Sequence, residues 1–470
     1  CGRGISGLAQ TTDATPSAAP VGEQGGTRPV SAVAGITLIP PTAAAAGIAS
    51  GARSYRDTVG AKPAYLTPYL GSLVFSARED GRGRELWIAT PTTARRLKDI
   101  APGATSSSPR DFVVLDGIVY FSAGDGTHGR ELWRTDGTGA GTRMVKDIRP
   151  GTRGSNPGSF IVFRDRVFFA ASDGTHGGEL WRTDGTSAGT RMVKDISVGR
   201  ATGVSEYDYV QPTRWVVMGD ILYFDARRSY NELWRTDGTS GGTQRIASQL
   251  ILFSRIVSTG SRLFLLGSHD DGGCALDGPF LFTSDGTTAG TRELTAAKYP
   301  WAELVAFRRL AMFGNMVERA NGDITERPRL WRSEGTNATT VQTRPTVTMD
   351  ELSPMQVEGG RLFVRVGGGL AASNATGGQV TVLGDTADGW RATVDVAAAG
   401  GRWFFPAGQR STRELWQTDG TPAGTRQALD INSRGNGAVN SLVSQDGVVW
   451  FVGDDGIRGQ QLWRYVPPAR

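Results

Sequence analysis

Residues 112–148 read FVVLDGIVYFSAGDGTHGRELWRTDGTGAGTRMVKDI, and residues 160–196 read FIVFRDRVFFAASDGTHGGELWRTDGTSAGTRMVKDI. Two near-copies in succession mean a repeat architecture, and that reading decides the fold. Within the first copy, 112–115 reads as strand A, followed by a turn at Asp116-Gly117. Residues 118–123 form strand B, 131–135 strand C and 143–148 strand D, with Asp136-Gly137-Thr138 turning C into D. The runs are short, aromatic and β-branched, and Gly/Asp turns separate them. No helical periodicity competes with this pattern.

Working outward, the Leu-Trp pair or a relative recurs at Trp87, Trp133, Trp181, Trp234, Phe282, Trp331, Trp416 and Trp463, a mean period of 47 residues. The gap between Trp331 and Trp416 is nearly two periods, and a degenerate unit with strands at 362–366, 370–373 and 380–383 fits inside it. Four short strands per unit is the size of a propeller blade. The expectation is an all-β chain with a single β-propeller of nine blades over 64–470, with eight as the alternative count. The ninth unit stops at Arg470, seven residues after Trp463, and so lacks strand D. An N-terminal strand is expected to close the ring and cover that open edge, with 36–39 as its candidate.

The phrase Glu-Leu-Trp-Arg-Thr-Asp-Gly-Thr-x-x-Gly-Thr resembles a repeat of bacterial secreted and surface proteins, often labelled hyalin-like. Its DGTxxGT part is strict at 136–142, 184–190, 237–243, 285–291 and 419–425, and degraded at 334–340. The resemblance covers most of 64–470 and implies a repeat fold, not a function. The Asp-Gly-Thr step also looks like the Asp-box turn of sialidase-type propellers. It has a sufficient structural reason: Asp accepts backbone N–H bonds and Gly takes φ > 0. Structural calcium at these turns is the competing reading, but they lack the carboxylate density of a calcium loop. No cofactor is expected.

Composition narrows the class. The chain has 470 residues, 65 of them Gly, about twice the usual share. No apolar run approaches the ~18 residues of a membrane-spanning helix. The formal charge is +5, and only five of the 51 basic residues are Lys. The charge is spread thinly, without the dense basic patch of a nucleic-acid binder. Two cysteines, Cys1 and Cys274, make neither a disulfide framework nor a zinc set. Cys1, followed by Gly2 and a small-residue tract, looks like the start of a mature bacterial lipoprotein. That resemblance implies a lipid on Cys1 and anchoring at the outer membrane, on the periplasmic side or the cell surface. Residues 1–54 contain no aromatic residue and read as a flexible tether.

Several residue types suggest sites, and most have a plainer explanation. His128 and His176 occupy the same place in consecutive units, which copying explains without a metal. Glu131 and Arg134, with Glu179, Arg182, Glu232 and Arg235, are expected to form a hydrogen-bond network between blades. Cys274 reads as a free thiol with no companion for nucleophilic chemistry. Ten of the 12 Trp fit core positions, leaving Trp301 and Trp390 in D–A connections, with Tyr207, Tyr209 and Tyr299. Alternating strand directions put the D–A and B–C connections on one face and the A–B and C–D turns on the other. The longest departures from the repeat, 197–214, 267–279 and 317–328, all fall on the D–A/B–C face. The candidate binding residues there are Tyr207, Asp208, Tyr209, Asp270, Asp271, Tyr299, Trp301, Arg319 and Trp390.

No nucleophile elbow, P-loop or HExxH motif occurs. Asp270 and Asp271 are adjacent and so are not the facing carboxylates of a glycosidase. The leading expectation is a membrane-anchored, non-enzymatic interaction or scaffold module of the bacterial envelope. It would bind a protein partner, as in an outer-membrane complex, through its D–A/B–C face. A glycan-binding surface lipoprotein that retains polysaccharide by aromatic stacking is the alternative, and a carbohydrate-cleaving propeller enzyme the third reading.

Overall fold

The computed structural model describes 51–468 apart from 56–61, 80, 199–203, 205–214, 228–230, 248–249, 270–278, 298–299, 317–326, 344–346, 350–354, 375–378, 385–389 and 410–411. Its strands form nine antiparallel sheets arranged as a nine-bladed β-propeller. In chain order the blades span 64–98, 110–146, 158–194, 215–247, 250–293, 300–342, 355–382, 390–429 and 440–466. Blade 2 shows the unit: Arg110–Leu115, Ile118–Gly124, Arg130–Thr135 and Arg143–Lys146 are its strands A to D. The degenerate unit is blade 7, with Arg361–Val366, Gly369–Ser373 and Val380–Val382 where the sequence pattern puts strands B to D. Its strand A, Met355–Glu358, carries no repeat signal of its own.

Each blade is sandwiched between two others, so both faces of its strands must be apolar. Strand B of blade 2 shows how alternation achieves this. Phe121 packs with Val74, Leu86 and Ile88 of blade 1. Its neighbour Tyr120 points the opposite way, onto Val167, Phe169 and Trp181 of blade 3. Trp133 and Leu132 of strand C divide in the same way. Among the described residues there are nine apolar clusters, one at each blade–blade interface.

An N-terminal strand does close the ring, but it is Gly51–Ser54, within the stretch read as tether. It pairs antiparallel with Gln460–Val466 as strand D of blade 9, with Gly51 opposite Val466 and Ser54 opposite Trp463. The candidate 36–39 lies outside the described residues. Next along the chain, the Tyr55 ring stacks on Trp450 at 5.5 Å, and its hydroxyl donates to Thr90 O of blade 1 at 2.8 Å.

The Asp-Gly-Thr turns explain their own sequence. Asp136 Oδ1 accepts from the Thr138 N–H at 2.9 Å and the Thr138 hydroxyl at 2.7 Å. Thr138 Oγ1 in turn accepts from Gly141 N–H, and Thr142 Oγ1 donates back to Thr138 O. Gly137 takes φ +84°. Gly141 is glycine for another reason: a Cβ there would collide with the Asp136 carboxylate, and the same holds for Gly189, Gly242, Gly290 and Gly424. Gly141→Ala is therefore expected to cost roughly 1–2 kcal/mol, as overpacking does. Gly139→Ser, which copies Ser187 of the next turn, should be near neutral. Urea unfolding midpoints of the two variants check the contrast.

Candidate functional site

Both faces of the ring are stitched across blade boundaries, which decides what remains free to bind. On the A–B/C–D face the stitches are cationic. Arg134 Nη1 donates to Gly185 O at 3.1 Å and Arg182 Nη1 to Gly238 O at 2.7 Å, each reaching the next blade's turn. Lys98, Lys146 and Lys194 repeat one contact, donating to the O atoms of Thr142, Thr190 and Thr243 at 2.6, 2.8 and 2.9 Å. Hydrogen bonds from Thr138 hold the Asp136 carboxyl below its ordinary value, and Asp184, Asp237 and Asp285 follow from Thr186, Thr239 and Thr287.

On the D–A/B–C face the stitch is a buried glutamate. Glu131 Oε2 accepts from Ile148 N–H at 3.0 Å and the Ser155 hydroxyl at 2.5 Å. Its Oε1 accepts from Arg149 N–H at 3.3 Å and Ser155 N–H at 2.7 Å. Glu85, Glu179 and Glu414 clamp the following connection in the same way. Glu232 differs, with Arg245 Nη1 2.9 Å from its Oε1. The expected network is thus two networks. The arginines cross directly to the next blade, whereas the glutamates hold the connection that leads there.

The paired histidines belong to their own loops. His128 Nδ1 lies 2.7 Å from Asp125 Oδ2, and His176 Nδ1 lies 2.8 Å from Asp173 Oδ2. Asp125 also accepts from Thr127 and His128 N–H. The hydrogen bond to Asp125 raises the His128 pKa above its ordinary value, and Asp173 does the same for His176. A raised histidine lends stability that is complete below about pH 6.5 and lost as pH rises through the folded value. The contribution is small because the side chains are 40% and 38% exposed. Ring titration by NMR should give midpoints above 6.5, and Asp125→Asn should return His128 to about 6.5.

The inner strands carry a feature that sequence reasoning missed. Strands A of successive blades are neighbours, which makes A the innermost strand. In blades 1, 2, 3 and 9 the pairing of A with B breaks register near the start of A. There Tyr65, Asp111, Ser159 and Ser441 hold φ between 55° and 59°, a left-handed conformation that non-glycine residues rarely adopt. The Arg at the start of strand C braces the approach: Arg84 Nη2 donates to Lys62 O at 2.8 Å, and Arg130 Nη1 to Ser108 O at 3.0 Å. Tyr65 is 51% exposed, with its ring edge-on to Phe112 at 6.5 Å. No composition signal marks such bulges in advance. Only the recurrence of one spacing before strand A does so.

The sequence-derived binding residues divide as follows. Tyr207, Asp208, Tyr209, Asp270, Asp271, Tyr299 and Arg319 lie outside the described residues, as do Cys1 and Cys274. Trp301 and Trp390 are not in connections: they stand in Pro300–Phe307 and Trp390–Ala392, the starts of strands A of blades 6 and 8. The reason is again the bulge. In blade 6 the register breaks between Pro300 and Leu304, and in blade 8 strand A is split into Trp390–Ala392 and Ala397–Ala399. The strand therefore begins several residues before its apolar repeat. No cluster of metal-ligating side chains occurs among the described residues, and no helix among them is long and apolar enough to cross a membrane.

No family model matches the chain, and no curated protein matches it. Many solved structures do. A GH74 xyloglucanase from Xanthomonas campestris is 14% identical over 90% of this chain and 74% of that one, with a TM-score of 0.40. A puromycin-hydrolyzing peptidase of Mycobacterium tuberculosis is 12% identical over 86% and 61%, with a TM-score of 0.40. Prolyl oligopeptidase B from Galerina marginata is 9% identical over 62% and 46%, with a TM-score of 0.38. This chain thus spans less than two thirds of either peptidase. At such identities and TM-scores, the likeness says nothing of a reaction, substrate or partner for this chain.

Proposed function

We propose that the protein is a non-enzymatic interaction module that docks a protein partner on its D–A/B–C face. One observation carries the reading. The polar residues that recur from blade to blade are engaged inside the ring: Glu131 by backbone N–H groups, Arg134 and Lys146 by carbonyls, His128 by Asp125. Docking of a protein partner is therefore assigned to what does not recur, and the long departures from the repeat fall on one face. The resemblance of the repeat to those of bacterial surface proteins sets where a partner is to be sought, among envelope proteins.

The test is affinity capture from detergent-extracted envelope proteins, using the full chain and two variants. In one, 205–214, 270–278 and 317–326 are replaced by short connections copied from blades 2 and 3. In the other, Asp136→Asn and Asp184→Asn alter the opposite face. A stoichiometric partner held by the parent and the Asn variant, but lost by the loop variant, is the expected result. Equal capture by the loop variant would sink the assignment. Glycan binding is favoured by the half-exposed Tyr65 ring on an inner strand. It predicts polysaccharide retention that Tyr65→Ala abolishes.

A further inference from the structure

The interface between blades 3 and 4 lacks a hydroxyl that those on either side carry. In blade 2 the Tyr120 hydroxyl reaches Gly185 in the turn of blade 3, and in blade 4 the Tyr223 hydroxyl reaches Gly286 in the turn of blade 5. Blade 3 carries Phe168 at this place, and its bare ring faces Gly238. A cavity of about 320 Å³ lies at this interface, lined by Arg182, Arg191, Met192, Val193 and the turn residues 238–240.

The charge around it is unbalanced. Phe168, Arg182 and Arg191 sit opposite one another across three adjacent strands, which places two guanidiniums side by side. Burial, then the charges of Arg191 and Arg166, hold the Arg182 pKa below its ordinary value, and Asp165 and Asp184 offset only part of this. Among the described residues neither Arg182 nor Arg191 is ion-paired with a carboxylate, although Arg166 is, with Asp165 at 3.5 Å. Lys194 Nζ adds a third cation at the rim, 3.3 Å from Ser240 O. The nearby Asp237 carboxylate is taken by the N–H and hydroxyl of Thr239. Val193, which packs in the apolar cluster between blades 3 and 4, provides an apolar wall.

We propose that this crevice binds a small organic carboxylate, with Arg191 and the edge of the Arg182 guanidinium not given to Gly238 O taking the carboxylate, and Val193 lying against its carbon body. A planar guanidinium matches a carboxylate through paired hydrogen bonds. The volume falls at the lower end of small-molecule sites, which begin at about 300 Å³. The site lies on the A–B/C–D face, away from the loops assigned to a protein partner, and does not depend on that assignment.

The experiment titrates benzoate and glucuronate into the full chain, with benzamide and glucose as neutral counterparts, followed by saturation-transfer NMR. The carboxylates are expected to bind with a Kd of about 1 mM or tighter, and the neutral compounds not to bind. A preference for glucuronate identifies a sugar acid, and a preference for benzoate a flatter apolar acid. Phe168→Tyr restores the hydroxyl that blades 2 and 4 carry and should weaken binding at least about tenfold without lowering the melting temperature. Arg191→Gln, at an exposed position, should weaken it about as much and remove its salt dependence. The proposal is overturned if neither carboxylate binds up to roughly 10 mM, or if both variants bind like the parent. The loop variant described above should bind the carboxylates unchanged, so the two assignments fail separately.

Discussion

Replacing Glu131 by alanine is expected to lower the unfolding free energy by about 4 kcal/mol. The side chain is fully buried. Its removal leaves the N–H groups of Ile148, Arg149 and Ser155 and the Ser155 hydroxyl without their acceptor. Each orphaned donor costs on the order of 1–3 kcal/mol, less than additively because they share one site. Glutamine separates charge from geometry. Burial pushes the Glu131 carboxyl up from its ordinary value, against the pull of hydrogen bonds from Ser155, Ile148 and Arg149. The ionised group therefore carries a cost at neutral pH, which Glu131→Gln removes while turning one acceptor into a donor that faces donors. The expected loss for Gln is roughly 1–2 kcal/mol.

The pH dependence follows from the direction of that shift. A raised carboxyl contributes stability that is complete below about pH 4.3 and declines as pH rises through the folded value. The gap between the native protein and Glu131→Gln should therefore narrow as pH rises from about 4. Urea titrations at several pH values measure this. A widening gap, or an alanine loss under about 1 kcal/mol, would show that water satisfies the connection without the carboxylate.

The second large effect is expected at the seam. Deleting 51–55 strips Gln460–Val466 of its outer partner and leaves an unpaired edge, the state that invites association. It also removes Tyr55, which is 3% exposed. The prediction is loss of cooperative unfolding and concentration-dependent self-association, read by calorimetry and sedimentation. Tyr55→Ala alone should cost about 3–5 kcal/mol, as a buried aromatic truncation does. Tyr55→Phe should cost about 1 kcal/mol, for the bond to Thr90 O. Burial pushes the Tyr55 phenol up to about 12, although Arg464 and Arg53 pull it down. Arg464 lies over Trp450 at 5.8 Å, and Arg53 over Tyr55 at the same distance. These ring contacts offset the repulsion of two arginines paired across strands. A deletion protein that melts like the parent would falsify the role of this strand.

The repeat is legible because its signals are local. Asp-Gly-Thr turns and aromatic strands announce themselves one unit at a time, and blade 7 is recoverable from three short apolar runs. The closing strand shows where this stops. Residues 36–39 stand out by their hydrophobicity, but an outer strand works through its backbone, and Gly51–Ser54 is mostly exposed. The informative residue is Tyr55, the first aromatic in the chain. The start of strand A is hidden at Trp301 and Trp390 because a bulge has no composition of its own. Phe168 illustrates the opposite limit. Its missing hydroxyl is visible in sequence, yet it has meaning only beside Gly238, a neighbour that folding supplies.

Gly51 pairs with Val466 at the end of blade 9 that bears the A–B and C–D turns. The chain therefore enters the ring on the side away from its variable loops. A pull on the chain ahead of Gly51, directed outward from that side, runs along the strand axis. It loads the four pairs from Gly51–Val466 to Ser54–Trp463 together, in shear, rather than peeling them one by one. The joint of the ring is thus oriented to bear tension along its strand axis.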